Sequence, residues 1–330
     1  MKKLVAALST TMALTAVIST PADAFFGKKD DTVTWKLGHN ANTDHIWHET
    51  SLKFASLVEE KSNGKMKVEV FPNGQLGSET DMINSVRLGT LDIVLAGETM
   101  QNWAPKAAMM AAPYAFRDLD HMNKVLDGSI GREIEQNITD KVGLVPLYYH
   151  ERAPRNLTTN KDINSINDLN GLVLRVPDVP MFVKTWEVIG AKPTPMALQE
   201  VFTSLQQNTI QGQENPYDLI SSLGFYEVQK YAYESEHVIQ WIYAVAGEKQ
   251  LNKLPEELQT VVKEAAAESE AYAKSEFGEF IKKARQDLVD RGMEIRPIDK
   301  AGLQKIVSES MEDILTDDQF DIYTRIIATN

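Results

Sequence analysis

The chain has 330 residues, 47 acidic against 34 basic side chains for a formal charge of −13, and no cysteine. That length is enough for two packed lobes. The acidic balance disfavours nucleic-acid binding, and without cysteine there are no disulfides, thiol nucleophiles or thiolate metal ligands.

Met1-Lys2-Lys3 leads into a mostly apolar run from Leu4 to Ile18, then Ala22-Asp23-Ala24. Small residues at both cleavage positions predict an export signal removed after about Ala24, hence an exported protein. The run is too short, and too interrupted by Ser and Thr, for a membrane span.

Thr32 to Gly38 alternates Val33, Trp35 and Leu37 with polar residues and reads as a strand. A polar loop follows, and Thr43 or Asp44 is expected to cap a helix running to about Ser62. Asn63-Gly64 stops that helix; Met66 to Phe71 is a second strand, turned by Pro72-Asn73-Gly74. Glu79 to Leu88 reads as a short helix. Leu91 to Ala96 reads as a strand with Gly97-Glu98-Thr99 at its carboxyl end. Two β–α–β crossovers in succession signal a parallel sheet.

Helices are expected at Lys106–Ala112, Leu119–Leu126 and Ser129–Asp140. A strand is expected at Gly143–Tyr148, with Tyr149, His150, Glu151 and Arg152 beyond it. Pro154 marks a crossing between lobes, and Arg155 to Thr158 is extended. In Gly171-Leu-Val-Leu-Arg-Val-Pro177 an apolar run meets an arginine and a proline stops it. This is a buried strand whose carboxyl end presents a cation, where open α/β sheets place their ligands.

A helix over 181–189, an extended piece over 191–195, a helix over 198–206 and a strand over 209–213 follow. The polar turn Gln213-Glu214-Asn215-Pro216 then closes this unit. Glu236 to Ala246 is apolar enough to return as a strand to the first lobe. Leu254-Pro255-Glu256-Glu257 opens a helix to Arg291-Gly292, about 36 residues or roughly 54 Å. A last strand over 293–297 and C-terminal helices complete the chain.

Arg155 and Arg175 are the leading candidates for chemistry, because a guanidinium fork binds a carboxylate through two parallel hydrogen bonds. The competing reading is a structural ion pair with Glu200, Glu214 or Asp178. Asn215 can donate to a carboxylate and accept from a hydroxyl, or simply form a turn. His39, His45 and His48, with Asp44 and Glu49 among them, raise the question of a metal, but their spacing matches no tight zinc pattern. They are read as one wall of a polar cleft or as helix caps. Tyr148 and Tyr217 are the aromatics placed to stack on or hydrogen-bond to a solute. The sequence holds no nucleophile elbow, phosphate loop or dinucleotide fingerprint. Acidic pairs such as Glu59-Glu60 and Asp317-Asp318 read as solvated helix faces. No catalysis and no cofactor are expected.

Four stretches taken together carry a resemblance. They are Phe71-Pro-Asn-Gly-Gln-Leu-Gly77, Gly171-Leu-Val-Leu-Arg-Val-Pro177, Gly190-Ala-Lys-Pro-Thr-Pro-Met196 and Gly212-Gln-Glu-Asn-Pro216. In this order and spacing the chain resembles the periplasmic solute-binding proteins of tripartite ATP-independent periplasmic (TRAP) transporters, the DctP-type receptors. The resemblance implies a two-lobed α/β fold, each lobe a mainly parallel or mixed sheet flanked by helices, with one long helix spanning both. It implies a carboxylate-pairing arginine at Arg175, a second at Arg155 and an orienting asparagine at Asn215. It also points to ligand contacts at Asn40, Ala41 and Glu79. Gln211 stands where the family commonly has an acid. Leu198, His39, Asp44 and His45 differ from what sialic-acid receptors of the family carry.

The expectation is therefore a monomeric receptor. It captures a small organic anion and hands it to membrane permease subunits driven by an ion gradient. Its first lobe is expected over 31–153, about 240–255 and the C-terminal helices. Its second is expected over 154–239 and about 293–297, with the spanning helix over 255–291. The favoured ligand is a sugar acid of uronate or aldonate type, which would need one arginine clamp and many hydroxyl partners, of which Asn40, Asn42, Glu79, Glu98, Gln101, Asn102 and Glu151 offer a supply. A C4-dicarboxylate would need a second cation from Arg155, Arg152 or His150.

Overall fold

The computed structural model describes residues 32–330; the expected export signal lies outside them. The chain runs β1 (Val33–Gly38), α1 (Ile46–Lys61), β2 (Met66–Phe71), α2 (Glu79–Leu88), β3 (Ile93–Ala96), α3 (Leu119–Leu126), α4 (Ser129–Val142), β4 (Leu144–Arg152) and β5 (Asn156–Thr159). It continues through β6 (Val173–Val176), α5 (Pro180–Ile189), β7 (Lys192–Pro195), α6 (Val201–Gln206), β8 (Gly212–Asn215), α7 (Tyr217–Ser222), β9 (Tyr231–Tyr233) and β10 (Gln240–Gly247). It ends with α8 (Glu248–Lys253), α9 (Glu256–Asp290), β11 (Glu294–Arg296), α10 (Lys300–Glu309), α11 (Met311–Ile314) and α12 (Asp317–Ala328).

These elements build two lobes around two mixed sheets. The first sheet has strand order β2-β1-β3-β10-β4, and the second β11-β9-β5-β8-β6-β7. β1 pairs parallel with β2 and β3, while β10 runs antiparallel to β3 and β4. The return of 236–246 to the first lobe is thus realised as β10, a fully buried strand. Two segments cross between the lobes, 153–155 and 234–239. They are tied side by side where Arg155 N donates to Val238 O at 2.9 Å.

α9 spans both lobes, packing against α1 and β4 of the first and α7 of the second. Its 35 residues correspond to about 52 Å. α10 and α11 lie against α5, and α12 lies against the 3₁₀ segment Pro105–Ala111.

Several expected boundaries move, each for a physical reason. α1 is capped by His45, whose Nδ1 accepts from Trp47 N at 3.1 Å, and not by Thr43 or Asp44. The apolar stretch expected as a helix over 106–112 is 3₁₀. β4 runs on through Tyr149 to Arg152 because β10 pairs with it along its length.

β8 lies at 212–215 rather than 209–213, so Gln213, Glu214 and Asn215 are strand residues, all buried. Polar side chains are tolerated inside that strand because each is hydrogen-bonded: Gln213 to Thr158, Glu214 to Arg155, Asn215 to Gln213. β9 has three residues, too few to show a periodicity.

Candidate functional site

The carboxyl ends of β1, β3, β6 and β8 converge on the seam between the lobes. A cavity of about 390 Å³ opens there. The first lobe supplies Asn40 after β1, Trp47 from α1, Ser78, Glu79 and Thr80 at the start of α2, Glu98 and Thr99 after β3, and Arg152 at the end of β4. The second supplies Arg175 from β6, Asp178, the segment from Pro195 to Leu198, Glu200, Asn215 and Leu219.

Arg175 is 3% exposed. Its Nε and Nη2 both donate to the Met196 carbonyl, at 3.0 and 2.6 Å. No carboxylate among the described residues forms an ion pair with it, although Glu200 and Asp178 line the same cavity. Burial lowers its pKa to about 10, against the opposing field of Glu214. A buried cation with one carbonyl for company is costly unless a ligand carboxylate completes it.

Arg155 has a different environment. Its Nε bonds Glu214 Oε2 at 2.5 Å, its Nη2 bonds Glu214 Oε1 and the Glu214 carbonyl at 2.7 Å each, and its Nη1 bonds Glu98 Oε1 at 3.2 Å. The guanidinium also lies 5.2 Å over the Phe182 ring. It is fully buried and does not line the cavity.

Glu98 continues the chain of charge. Its Oε2 accepts from Arg152 Nη1 and Gln240 Nε2, both at 3.1 Å. Arg152 lies over Trp47 at 5.3 Å, a cation–π contact in the cavity wall. At the other end Glu214 Oε2 meets His237 Nε2 at 2.8 Å. Burial by itself would raise the Glu214 carboxyl; Arg155 and His237 outweigh it and hold it at about 2. The series Arg152–Glu98–Arg155–Glu214–His237 therefore ties the end of β4 and the segment after β3 in the first lobe, through the two crossing segments, to β8 of the second.

Among the described residues no cation pairs with Glu79. Its Oε1 accepts from Gly97 N at 3.0 Å, and burial together with the nearby Glu98 raises its pKa well above the usual carboxylate range. Asn215 Nδ2 donates to Gln213 Oε1 at 2.7 Å, and the residue lines the cavity.

The remaining sequence candidates lie elsewhere. His39 and Ala41 are buried beside the cavity without lining it, and His39 Nε2 meets His48 Nδ1 at 3.1 Å. His45 Nε2 pairs with Asp218 Oδ2 at 3.0 Å, so both of its ring nitrogens are engaged. Tyr148 is a core side chain packed on Phe54. Glu151 accepts from Asn123 at 2.6 Å, and Tyr217 donates to Glu234 at 3.2 Å. Asn102 bridges to Asp178 at the rim. Sequence reasoning passed over Ser78, Thr80, Thr99 and the 195–197 segment. The first three are signalled only by their place at carboxyl-end loops and a helix start. Among the described residues no group of three or more His, Asp or Glu is arranged to hold a metal ion.

His150 carries a pH dependence. It is buried in β4 with Nε2 lacking a hydrogen-bond partner among the described residues. Burial, then His45 and His39, lower its pKa to about 3. The folded state thus holds it neutral while the unfolded chain takes up a proton below about pH 6.5, so stability is full above that pH and falls as pH drops towards 3. This residue should remove about 2 kcal/mol between pH 7 and pH 5. Urea unfolding at the two pH values checks it: His150→Gln should flatten the difference by about that amount, and an unchanged slope would refute the assignment.

The sequence profile of the bacterial extracellular solute-binding proteins of family 7 (DctP) matches residues 37–318. Among solved structures, the chain is similar to a TRAP periplasmic solute-binding protein of Roseobacter denitrificans OCh 114 with bound L-galactonate. Identity is 42%, coverage is 89% of this chain and 98% of that one, and the TM-score is 0.87. A Haemophilus influenzae TRAP protein with bound L-gulonate has 31% identity, 91% and 100% coverage and a TM-score of 0.84. A Xanthobacter autotrophicus Py2 protein with bound β-D-galacturonate has 30% identity, 90% and 100% coverage and a TM-score of 0.85.

Proposed function

Because the chain belongs to the bacterial extracellular solute-binding proteins of family 7, receptors that bind and do not catalyse, we propose that its cleft captures a six-carbon sugar acid, with an aldonate first and a uronate second. The observation that carries this is the charge arrangement of the cavity. One buried arginine, Arg175, lacks a carboxylate partner among the described residues, and around the same space stand Glu79, Glu98, Asp178 and Glu200. A single carboxylate on the ligand completes Arg175 through a bidentate pair. Ligand hydroxyls then donate to the acidic groups and to Asn215, which accept. Trp47 offers a flat apolar surface for the C–H face of the carbon chain.

A C4-dicarboxylate fits this lining less well. The other cation in the wall, Arg152, is already paired with Glu98, and a second ligand carboxylate would face the unpaired Glu79. The three similar structures hold monocarboxylates rich in hydroxyls, and the one with 42% identity holds an aldonate, which supports the order given.

In this reading the protein is exported, loses about 24 residues, acts as a monomer in the periplasm and delivers its ligand to the permease subunits of a TRAP transporter. Closure of the lobes excludes water and strengthens the polar contacts. The test is a thermal-shift series on refolded protein with L-galactonate, L-gulonate, D-galacturonate, D-glucuronate, succinate and malate. The hexonates should raise the melting temperature most and the diacids least. A shift from succinate or malate alone would replace the sugar-acid reading with the dicarboxylate one.

A further inference from the structure

Two side-chain bridges cross between the lobes at the rim of the cavity. Gln199 Nε2 donates to Asn40 Oδ1 at 2.7 Å. Asn102 Nδ2 donates to the Asp178 carbonyl at 3.0 Å. In each pair one member, Asn40 or Asp178, lines the cavity and the other does not.

The first bridge sits in a fitted notch. The loop after β1 is bound to the turn after β2: Asn73 N donates to Ala41 O at 2.9 Å and Gly74 N to His39 O at 3.0 Å. Asn73 and Gly74 both adopt left-handed backbone, with φ of 57° and 63°, a conformation suited to an Asn-Gly pair. Gly74 thereby turns a bare backbone face to the second lobe, and a Cβ there would stand 2.4 Å from Gln199 Nε2. The turn thus leaves room for the glutamine amide beside Asn40. With Asn40 Oδ1 accepting from Gln199, the Asn40 Nδ2 donors are left for the cavity.

We propose that Gln199 is the latch of the cleft: by bonding Asn40 over Gly74 it holds the lobes together and orients the Asn40 amide towards the ligand, with Asn102–Asp178 as a second latch. Gln199 is a positioning residue in this scheme, acting on the ligand through Asn40. The inference rests on the reading of the cleft as a closing receptor site, and it adds residues that govern closure independently of the Arg175 clamp.

The absence of native cysteine allows spin labels at two exposed positions, Lys53 on α1 and Lys192 on β7, introduced as Lys53→Cys and Lys192→Cys in the exported protein. Pulsed electron paramagnetic resonance then reads the interlobe distance. Gln199 is exposed, so Gln199→Ala spares the core. It should shift the ligand-free population towards longer distances. Gly74→Ala should do the same with the glutamine intact, while Arg175→Ala should leave the ligand-free distances unchanged. With L-galactonate as probe, Gln199→Ala should speed dissociation about fivefold, the loss of one hydrogen bond. The latch is overturned when the parent and Gln199→Ala share one ligand-free distance distribution and, where the probe binds, one dissociation rate. A parent that does not bind L-galactonate counts against the sugar-acid reading, and the ligand-free distances still decide the latch.

Discussion

Arg175→Ala should weaken L-galactonate binding by about 10²- to 10³-fold, equivalent to roughly 3–4 kcal/mol of a charge-assisted, bidentate contact. The same substitution should leave the ligand-free protein no less stable. Arg175 is buried with only the Met196 carbonyl as hydrogen-bond acceptor among the described residues, and removing a cation in that condition removes a desolvation cost. Loss of affinity without loss of stability is characteristic of a side chain kept for a ligand. Arg175→Lys keeps the charge but loses the fork, so it should recover only part of the affinity. Titration calorimetry with L-galactonate and urea unfolding without it measure the two halves. If Arg175→Ala binds with undiminished affinity, the carboxylate clamp lies elsewhere.

Arg155 should respond in the opposite sense. It joins Glu214 to Glu98, and all three are buried. Arg155→Met leaves Glu98 with Arg152 and Glu214 with His237 alone, and should cost about 3–5 kcal/mol of stability, the range for breaking a buried ion pair from one side. Adding Glu214→Gln restores the charge balance, so the double variant should regain part of that loss. Urea unfolding of the two single variants and the double variant completes the cycle. If Arg155→Met instead keeps its stability within about 1 kcal/mol and loses sugar-acid affinity a hundredfold, Arg155 is a ligand contact and the internal network is secondary.

The contrast between these two arginines marks how far local pattern reaches. Both stand near strand ends, and both allow the two readings of clamp and ion pair. Nothing in Gly171–Pro177 tells which carboxylate Arg175 will meet. In the fold, Glu214 comes from β8 and engages Arg155 in the crossing segment just before the adjacent antiparallel β5, so it is spent before Arg175 reaches it. Glu98 is reached from β3 in the other lobe and serves Arg152 and Arg155.

Local chemistry settled the elements whose signals are short-ranged. Alternation marked β1 and β2, Gly and Asn-Gly stops ended their neighbours, and Pro255 opened the long helix α9. The arginine-bearing strand and the polar loop after β1 were legible as cleft material, because such positions lie at the carboxyl ends of parallel strands, whereas the acidic start of α2 was pointed to only by the family resemblance. Tertiary structure decided the rest. It turned the Gln213–Asn215 turn into a buried strand, gave both ring nitrogens of His45 to internal partners, sent Tyr148 and Glu151 away from the cavity, and brought Gln199 onto Asn40 across 159 positions of chain. Propensity and periodicity act over a few residues and so can be read along the chain. Which buried charge finds which partner depends on distances set only when the two sheets and α9 are packed, and that pairing separates the arginine left for a ligand from the arginine consumed by the fold.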